Sequence, residues 1–587
     1  MFKLLLLFHC FLGVLGYPQF KYKTPDGWIV GKRNLKFTCV VEFLGIPFAQ
    51  PPIGNLRFKP PQKLDKIIPS NPFIADKPAN TCRIVPSDPF IADKPANTCI
   101  HAYDKNFYYG FKGYDFWHPK SLNQSEDCLQ LNMWIPEKHN GDVLVSIFGN
   151  GYDSGSPSLN VLNGAALAND AGIIVVNLNY RLGVLGFGFL NGTKEMPGNM
   201  GLSDQQLGLK WVYDNIQYFG VNKKKITLFG SGTGASSVTA HIYAPASSKY
   251  FRRVIANSGT MLNTWSYQTK SMANKNVVTL ANKVKCRGFY KPEDIIDCLR
   301  GKSARELMVA AKSIVNPEQS PLVQAFIPVE SDDYFFDGNI REKLIKRDTK
   351  KEFDIMFGVT RDEASYLMPP FLKGDLYGCN FKKDKKLESK GNMCKMNKTH
   401  FYNVVKLIGY YHKYKQEDID LLYKTYANKK VKESRDWTKK LLSDFIFKCD
   451  IATFGIDYLT YVKGNKYFYQ LNQMPRVYHW PKWMGVVHGY ELLYEYGYPR
   501  TYSQYYSKKA RDKEKKLAIK MMKLIGKFVK EGKPSKSSKW KSFKAKDYLV
   551  AYIDDKYSDK KGPSFVKSAL TEGCKVIRQI QKKYQKM

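Results

Sequence analysis

Between residues 141 and 260, short apolar runs rich in β-branched residues alternate with stretches of helical spacing. The runs at 143–147 (VLVSI) and 173–177 (IIVVN) are apolar at nearly every position, which predicts strands buried on both faces of a parallel sheet. Residues 202–219 carry Leu207, Leu209, Val212 and Ile216 at helical spacing. Residues 225–229 predict a further strand, followed by a glycine-rich turn and then a helix over 235–244. This order predicts an α/β fold: a large, mostly parallel central sheet flanked by crossover helices. Near the C-terminus, 513–530 reads as an amphipathic helix, with Leu517, Met521, Leu524, Ile525 and Phe528 on one side and lysines on the other.

Two segments break the pattern. PSNPFIADKPANTC at 69–82 recurs as PSDPFIADKPANTC at 86–99. Two short copies are too few for a repeat fold and read as a duplication that lengthens a surface loop. A lysine-rich insert at 374–398 is bounded by Cys379 and Cys394 and reads as a surface loop.

The first 16 residues, MFKLLLLFHCFLGVLG, place one Lys before an apolar run and small residues before Tyr17. They predict a secretory signal peptide and an extracellular destination, with no later run approaching a transmembrane length. The 587-residue chain is 43% apolar, which excludes a disordered class. Ten cysteines remain after Cys10, an even number that favours disulfides in an oxidising compartment over a metal site. No metal or other cofactor is expected. Sequons at Asn123, Asn191 and Asn397 are candidate glycosylation sites.

The formal charge is +39. Residues 1–370 hold 43 Lys and Arg against 32 Asp and Glu, whereas 371–587 hold 49 against 21. The basic excess therefore sits mainly in the C-terminal part. In a secreted chain it points to a sulfated glycan or an anionic cell surface rather than nucleic acid.

The motifs FLGIPFAQPPIGNLRFKPPQ (43–62), SEDCLQLNMWIP (125–136), NLNYRLGVLGF (177–187), GNMGLSDQQLGLKWV (198–212) and ITLFG (226–230) occur in this order. With WPKWMGVVHGYELLYEYGYP (480–499) and FKGYDFWHPKSLNQSEDC (111–128), they resemble the cholinesterase/carboxylesterase type B family of α/β-hydrolases. The resemblance covers nearly the whole mature chain and implies one carboxylesterase-like domain over 17–587. It also implies ester hydrolysis by a Ser–His–acid triad, with the serine on a G-x-S-x-G elbow.

The catalytic machinery departs from that pattern. The elbow reads Gly230-Ser231-Gly232-Thr233-Gly234, so Gly232 stands at the nucleophile position. The resemblance assigns the acid to Glu363 (GVTRDEASY) and the base to His488 (GVVHGYE). It assigns the oxyanion donors to Asn150, in place of a glycine, to Gly151 and to Thr233. Loss of one such donor typically costs ~10²–10³ in kcat. These changes imply a non-catalytic protein that acts by binding. The alternative is an active esterase with an atypical nucleophile such as Ser231.

The resemblance also implies a gorge lined by Trp117, Trp265, Phe326, Tyr366 and Tyr490, while Gln324 and Leu367 replace aromatic residues. Trp117 matches the family's choline-site tryptophan, whose ring face attracts a quaternary ammonium. The implied ligand is a small cation or an ester. The family pattern pairs Cys286 with Cys298 and Cys449 with Cys574. Cys128 pairs with Cys99, or with the duplicated Cys82, and Cys379 with Cys394 would close the insert. Cys39 with the remaining one of Cys82 or Cys99 would complete five bridges. A homodimer through the C-terminal helix is open.

Overall fold

The computed structural model describes residues 20–64, 90–103 and 112–584, except 289–290, 316–319, 321–322, 383, 387, 429, 432, 478 and 545–546. The expected signal peptide, the first repeat copy, the start of the second and Cys82 lie outside the described residues.

Thirteen strands form one sheet: β1 (Phe20–Thr24), β2 (Gly27–Arg33), β3 (Val40–Pro47), β4 (Phe90–Ile91), β5 (Gln130–Pro136), β6 (Val143–Ile147), β7 (Ile174–Leu178), β8 (Ile226–Ser231), β9 (Arg253–Asn257), β10 (Asp354–Thr360), β11 (Lys466–Leu471), β12 (Leu549–Ile553) and β13 (Phe565–Ser568). Their order is β1-β2-β3-β5-β7-β6-β8-β9-β10-β11-β12-β13, with β4 beside β2. From β7 through β12 the neighbours are parallel, while the remaining pairs are antiparallel except β4, which runs parallel to β2. Residues of β6, β7 and β8 are buried throughout, because crossover helices cover both faces of a parallel sheet.

The sequence-derived strands and the helices expected at 202–219 and 235–244 fall within a residue or two of the observed bounds, whereas the helix expected at 513–530 begins five residues earlier, at Lys508. The stretch expected as one helix over 202–219 is an α-helix at Met200–Asn215 that tightens to a 3₁₀ turn at Ile216–Phe219. It ends at Gly220, whose φ is +77°. The C-terminal amphipathic helix spans Lys508–Glu531, begins at a Ser507 cap that accepts the Ala510 N–H, and ends at Gly532 with φ +69°. Leu517, Met521, Leu524, Ile525 and Phe528 are buried. Burial of each such side chain contributes about 1.5–3 kcal/mol.

Four disulfides close: Cys99–Cys128, Cys286–Cys298, Cys379–Cys394 and Cys449–Cys574. Cys39 is exposed and bonds no other described cysteine. The insert is more than a surface loop. Its Asn392 is fully buried and hydrogen-bonds the main chain at Lys382 and Lys386, and its carbonyl accepts the Trp483 indole N–H at 2.8 Å. Among the described residues no helix is long and apolar enough to cross a membrane, and no group of three or more His, Cys, Asp or Glu could hold a metal ion.

Candidate active site

β8 runs straight into the helix Thr233–Tyr243 through Gly232, which sits at φ +59° and ψ −123°. That backbone is a sharp strand-to-helix elbow. Its flanking glycines are demanded by close approach. A Cβ on Gly234 would lie 2.2 Å from the Ile147 carbonyl oxygen, and one on Gly230 would lie 2.2 Å from the Gly234 carbonyl oxygen. The elbow is therefore fully built, with a glycine and no side chain at its tip.

His488 faces that tip. A Cβ on Gly232 would lie 2.7 Å from His488 Nε2, closer than real Cβ contacts allow. The imidazole occupies space that a side chain at 232 would need. Its Nδ1–H donates to Glu363 Oε2 at 2.7 Å. Glu363 is fully buried, and its other oxygen accepts from Ser258 Oγ and from the Thr360 N–H, both at 2.6 Å. Burial would lower the His488 pKa, but the hydrogen bond and charge of Glu363, with the charge of Glu491, raise it. His488 and Glu363 form a close hydrogen-bonded pair.

Ser231 is turned away from this pair. Its hydroxyl donates to Glu491 Oε1 at 2.6 Å, beneath the elbow. The second Glu491 oxygen is buried and meets no hydrogen-bond partner among the described residues. Behind it, Glu495 accepts from Tyr469 at 2.6 Å and from the Asn257 amide at 2.9 and 3.0 Å. Burial, reinforced by the neighbouring carboxylate, raises the pKa of both glutamates. This carboxylate cluster was not anticipated from sequence, because the partners that hold Glu491 and Glu495, such as Ser231 and Asn257, are distant in the chain.

The turn from Phe148 to Tyr152 follows an unusual backbone path. Asn150, Gly151 and Tyr152 all have positive φ, at +111°, +75° and +59°. Such backbone is uncommon for non-glycine residues. The Asn150 side chain is tethered: its amide donates to His118 Nε2 at 2.7 Å, while His118 Nδ1–H donates to the Tyr114 carbonyl at 3.0 Å. Burial lowers the His118 pKa to about 4, so the ring stays neutral and keeps its Nε2 lone pair.

Elbow, turn and imidazole open onto a cavity of about 250 Å³. Gly232, Asn150, Gly151, Thr233, His488, Trp117, Trp265 and Tyr366 all line it. Tyr366 stacks on the His488 ring at 5.8 Å. Phe326 and Tyr490 do not line it, which corrects the sequence expectation. Both are buried, at 3% and 1% exposure. Gln324 and Ile327 form the wall beside Phe326, whose own ring is packed in the core. At Tyr490, helical spacing turns Gly489 and Leu492 to the cavity and the tyrosine away from it. Trp480, Phe371, Asp153 and Lys312 line the wall without having been anticipated. Trp480 stood inside a recognised motif, whereas nothing local marks Lys312, which ion-pairs with Asp153.

A parallel sheet, a glycine-flanked elbow ahead of a helix and a buried acid–histidine pair define the α/β-hydrolase class. The chain belongs to the carboxylesterase family, whose model matches residues 18–570. The family is one of carboxylic-ester hydrolases. Over 558 residues the chain is 32% identical to an acetylcholinesterase of Electrophorus electricus, covering 88% of this chain and 81% of that one. It is 33% identical to a cholinesterase of Mus musculus, covering 84% and 76%, and 30% identical to acetylcholinesterase 1 of Caenorhabditis elegans, covering 85% and 76%.

Proposed function

We propose that this cholinesterase-like chain is a non-catalytic member of its family, secreted and glycosylated, that binds a small cationic or ester ligand in the cavity. One observation carries the reading. The elbow presents a glycine, and the catalytic base lies where a nucleophile's side chain would stand. No acyl-enzyme can form on Gly232, and in triad enzymes loss of one member costs nearly as much as loss of all. Ser231 does not replace it, because its hydroxyl is committed to Glu491. The remaining aromatic wall suits a cation: Trp117 offers a ring face, and such contacts contribute about 0.5–2 kcal/mol.

The test has two readouts on the purified protein. An organophosphate probe is expected to leave every cavity residue unlabelled by mass spectrometry. Covalent labelling of Ser231 or Thr233 would restore the esterase reading. Titration with a quaternary ammonium ion is expected to quench tryptophan fluorescence saturably, and Trp117→Ala is expected to abolish the signal. Quenching that is absent, or unaltered in the variant, would remove the cation from the proposal.

A further inference from the structure

The stretch from 533 to 567 contains ten lysines and four aspartates. In sequence it is a scattered set, but in space its two halves are laid side by side. Ser535 Oγ donates to the Asp559 carbonyl at 2.9 Å, and the Lys536 N–H donates to the Asp559 carboxylate at 2.8 Å. A Cβ on Gly562 would lie 2.5 Å from Ser537 Oγ and 3.4 Å from Lys539 Cβ. Beneath them Trp540 is buried edge-on against Tyr557, with ring centroids 6.1 Å apart. The two segments therefore form one pinned surface.

Lys533, Lys536, Lys539, Lys541, Lys560 and Lys561 are all exposed on it. The acids among them are largely engaged. The Asp559 and Asp554 carboxylates accept main-chain N–H groups of Lys536 and Lys556, and Asp555 lies 3.8 Å from Arg476. Asp547 remains exposed. Like charges held this close repel, and the surface gains most from a ligand that spans several of them at once.

We propose that this face binds a linear sulfated polysaccharide. Three observations choose that class. The charges are lysines on a pinned scaffold, which suits point contacts with dispersed sulfates. None of the large exposed apolar side chains of the described residues falls between 506 and 584, so the face offers no wedge for a membrane. The rings beneath these lysines, Trp540 and Tyr557, are buried, so neither is free to stack on a nucleic-acid base.

Heparin affinity of the intact protein tests the proposal. Wild type is expected to be retained beyond physiological salt, with affinity that falls steeply as salt rises. A quadruple Lys→Glu variant at Lys536, Lys539, Lys560 and Lys561 is expected to bind about tenfold or more weakly. The same reversal at Lys382, Lys385, Lys386 and Lys390, exposed lysines of the disulfide-closed insert, makes an equal change in net charge. That control is expected to keep most of the affinity, and Lys→Arg at the first four sites to keep nearly all. Equal loss in the two Glu variants would reduce the effect to bulk charge and overturn the site. Tighter binding to phosphatidylserine vesicles or to single-stranded DNA than to heparin would overturn the partner class.

Discussion

At the scale of single residues, the decisive position is Gly232. A serine there would place its Cβ 2.7 Å from His488 Nε2, and the imidazole would have to shift. The oxyanion turn adds a second obstacle, since Asn150 holds a +111° φ through its bond to His118. Gly232→Ser is therefore expected to show little hydrolysis of a choline ester. Adding Asn150→Gly is expected to raise kcat by about 10²–10³ over the single variant. Equal steady-state rates in the two variants would show that the oxyanion donors were never impaired. That a glycine stands at 232 was legible in sequence, because the GSGTG run needs only the chain order to be read. The orientation of Ser231 was not, since its partner Glu491 lies 260 residues away.

At the scale of elements, the elbow shows how a local motif depends on its neighbours. Gly230 and Gly234 are required because the helix Thr233–Tyr243 starts against the carbonyls of β6 and of the elbow itself. Gly234→Ala is expected to cost about 1–3 kcal/mol, read as a lower urea midpoint at unchanged slope. The upper end applies, because the obstacle is a main-chain oxygen rather than a flexible side chain. An unchanged midpoint would mean that the elbow can relax. Strands such as β6 and β8 were readable from sequence because burial on both faces leaves continuous apolar runs. Which aromatics face the cavity was less readable. Phe326 and Tyr490 lie in segments with cavity-lining neighbours, and one step along a strand or helix turns a side chain to the other side.

At the scale of the whole molecule, buried charge couples stability to pH. Glu491 and Glu495 titrate above the ordinary carboxylate value of 4.5 because burial disfavours their charged forms. A raised folded-state pKa means that the folded protein holds these protons more tightly than the unfolded chain. Their contribution is fully present below 4.5 and is lost as pH rises through the raised values. The His488 pKa is raised as well, and its contribution is lost in the same direction. These three groups are thus expected to lower the melting temperature as pH rises from acidic to weakly basic, against the opposite contribution of histidines that burial keeps neutral, such as His118 and His241. Glu495→Gln, which keeps acceptors for Tyr469 and Asn257, is expected to flatten that fall. A profile identical to wild type would show that the carboxylate is not the titrating group.

The order of motifs, the α/β class and the glycine at the elbow could all be read from the residues themselves. Each is a property of one segment or of chain order, and local chemistry suffices to state it. Tertiary structure decided what those residues meet. It set Ser231 on Glu491, placed Lys312 and Asp153 in the cavity wall, turned Phe326 and Tyr490 away, and joined two lysine-bearing segments into one face. The physical reason is shared: side-chain direction and proximity follow from packing among segments far apart in the chain, which neither periodicity nor composition encodes.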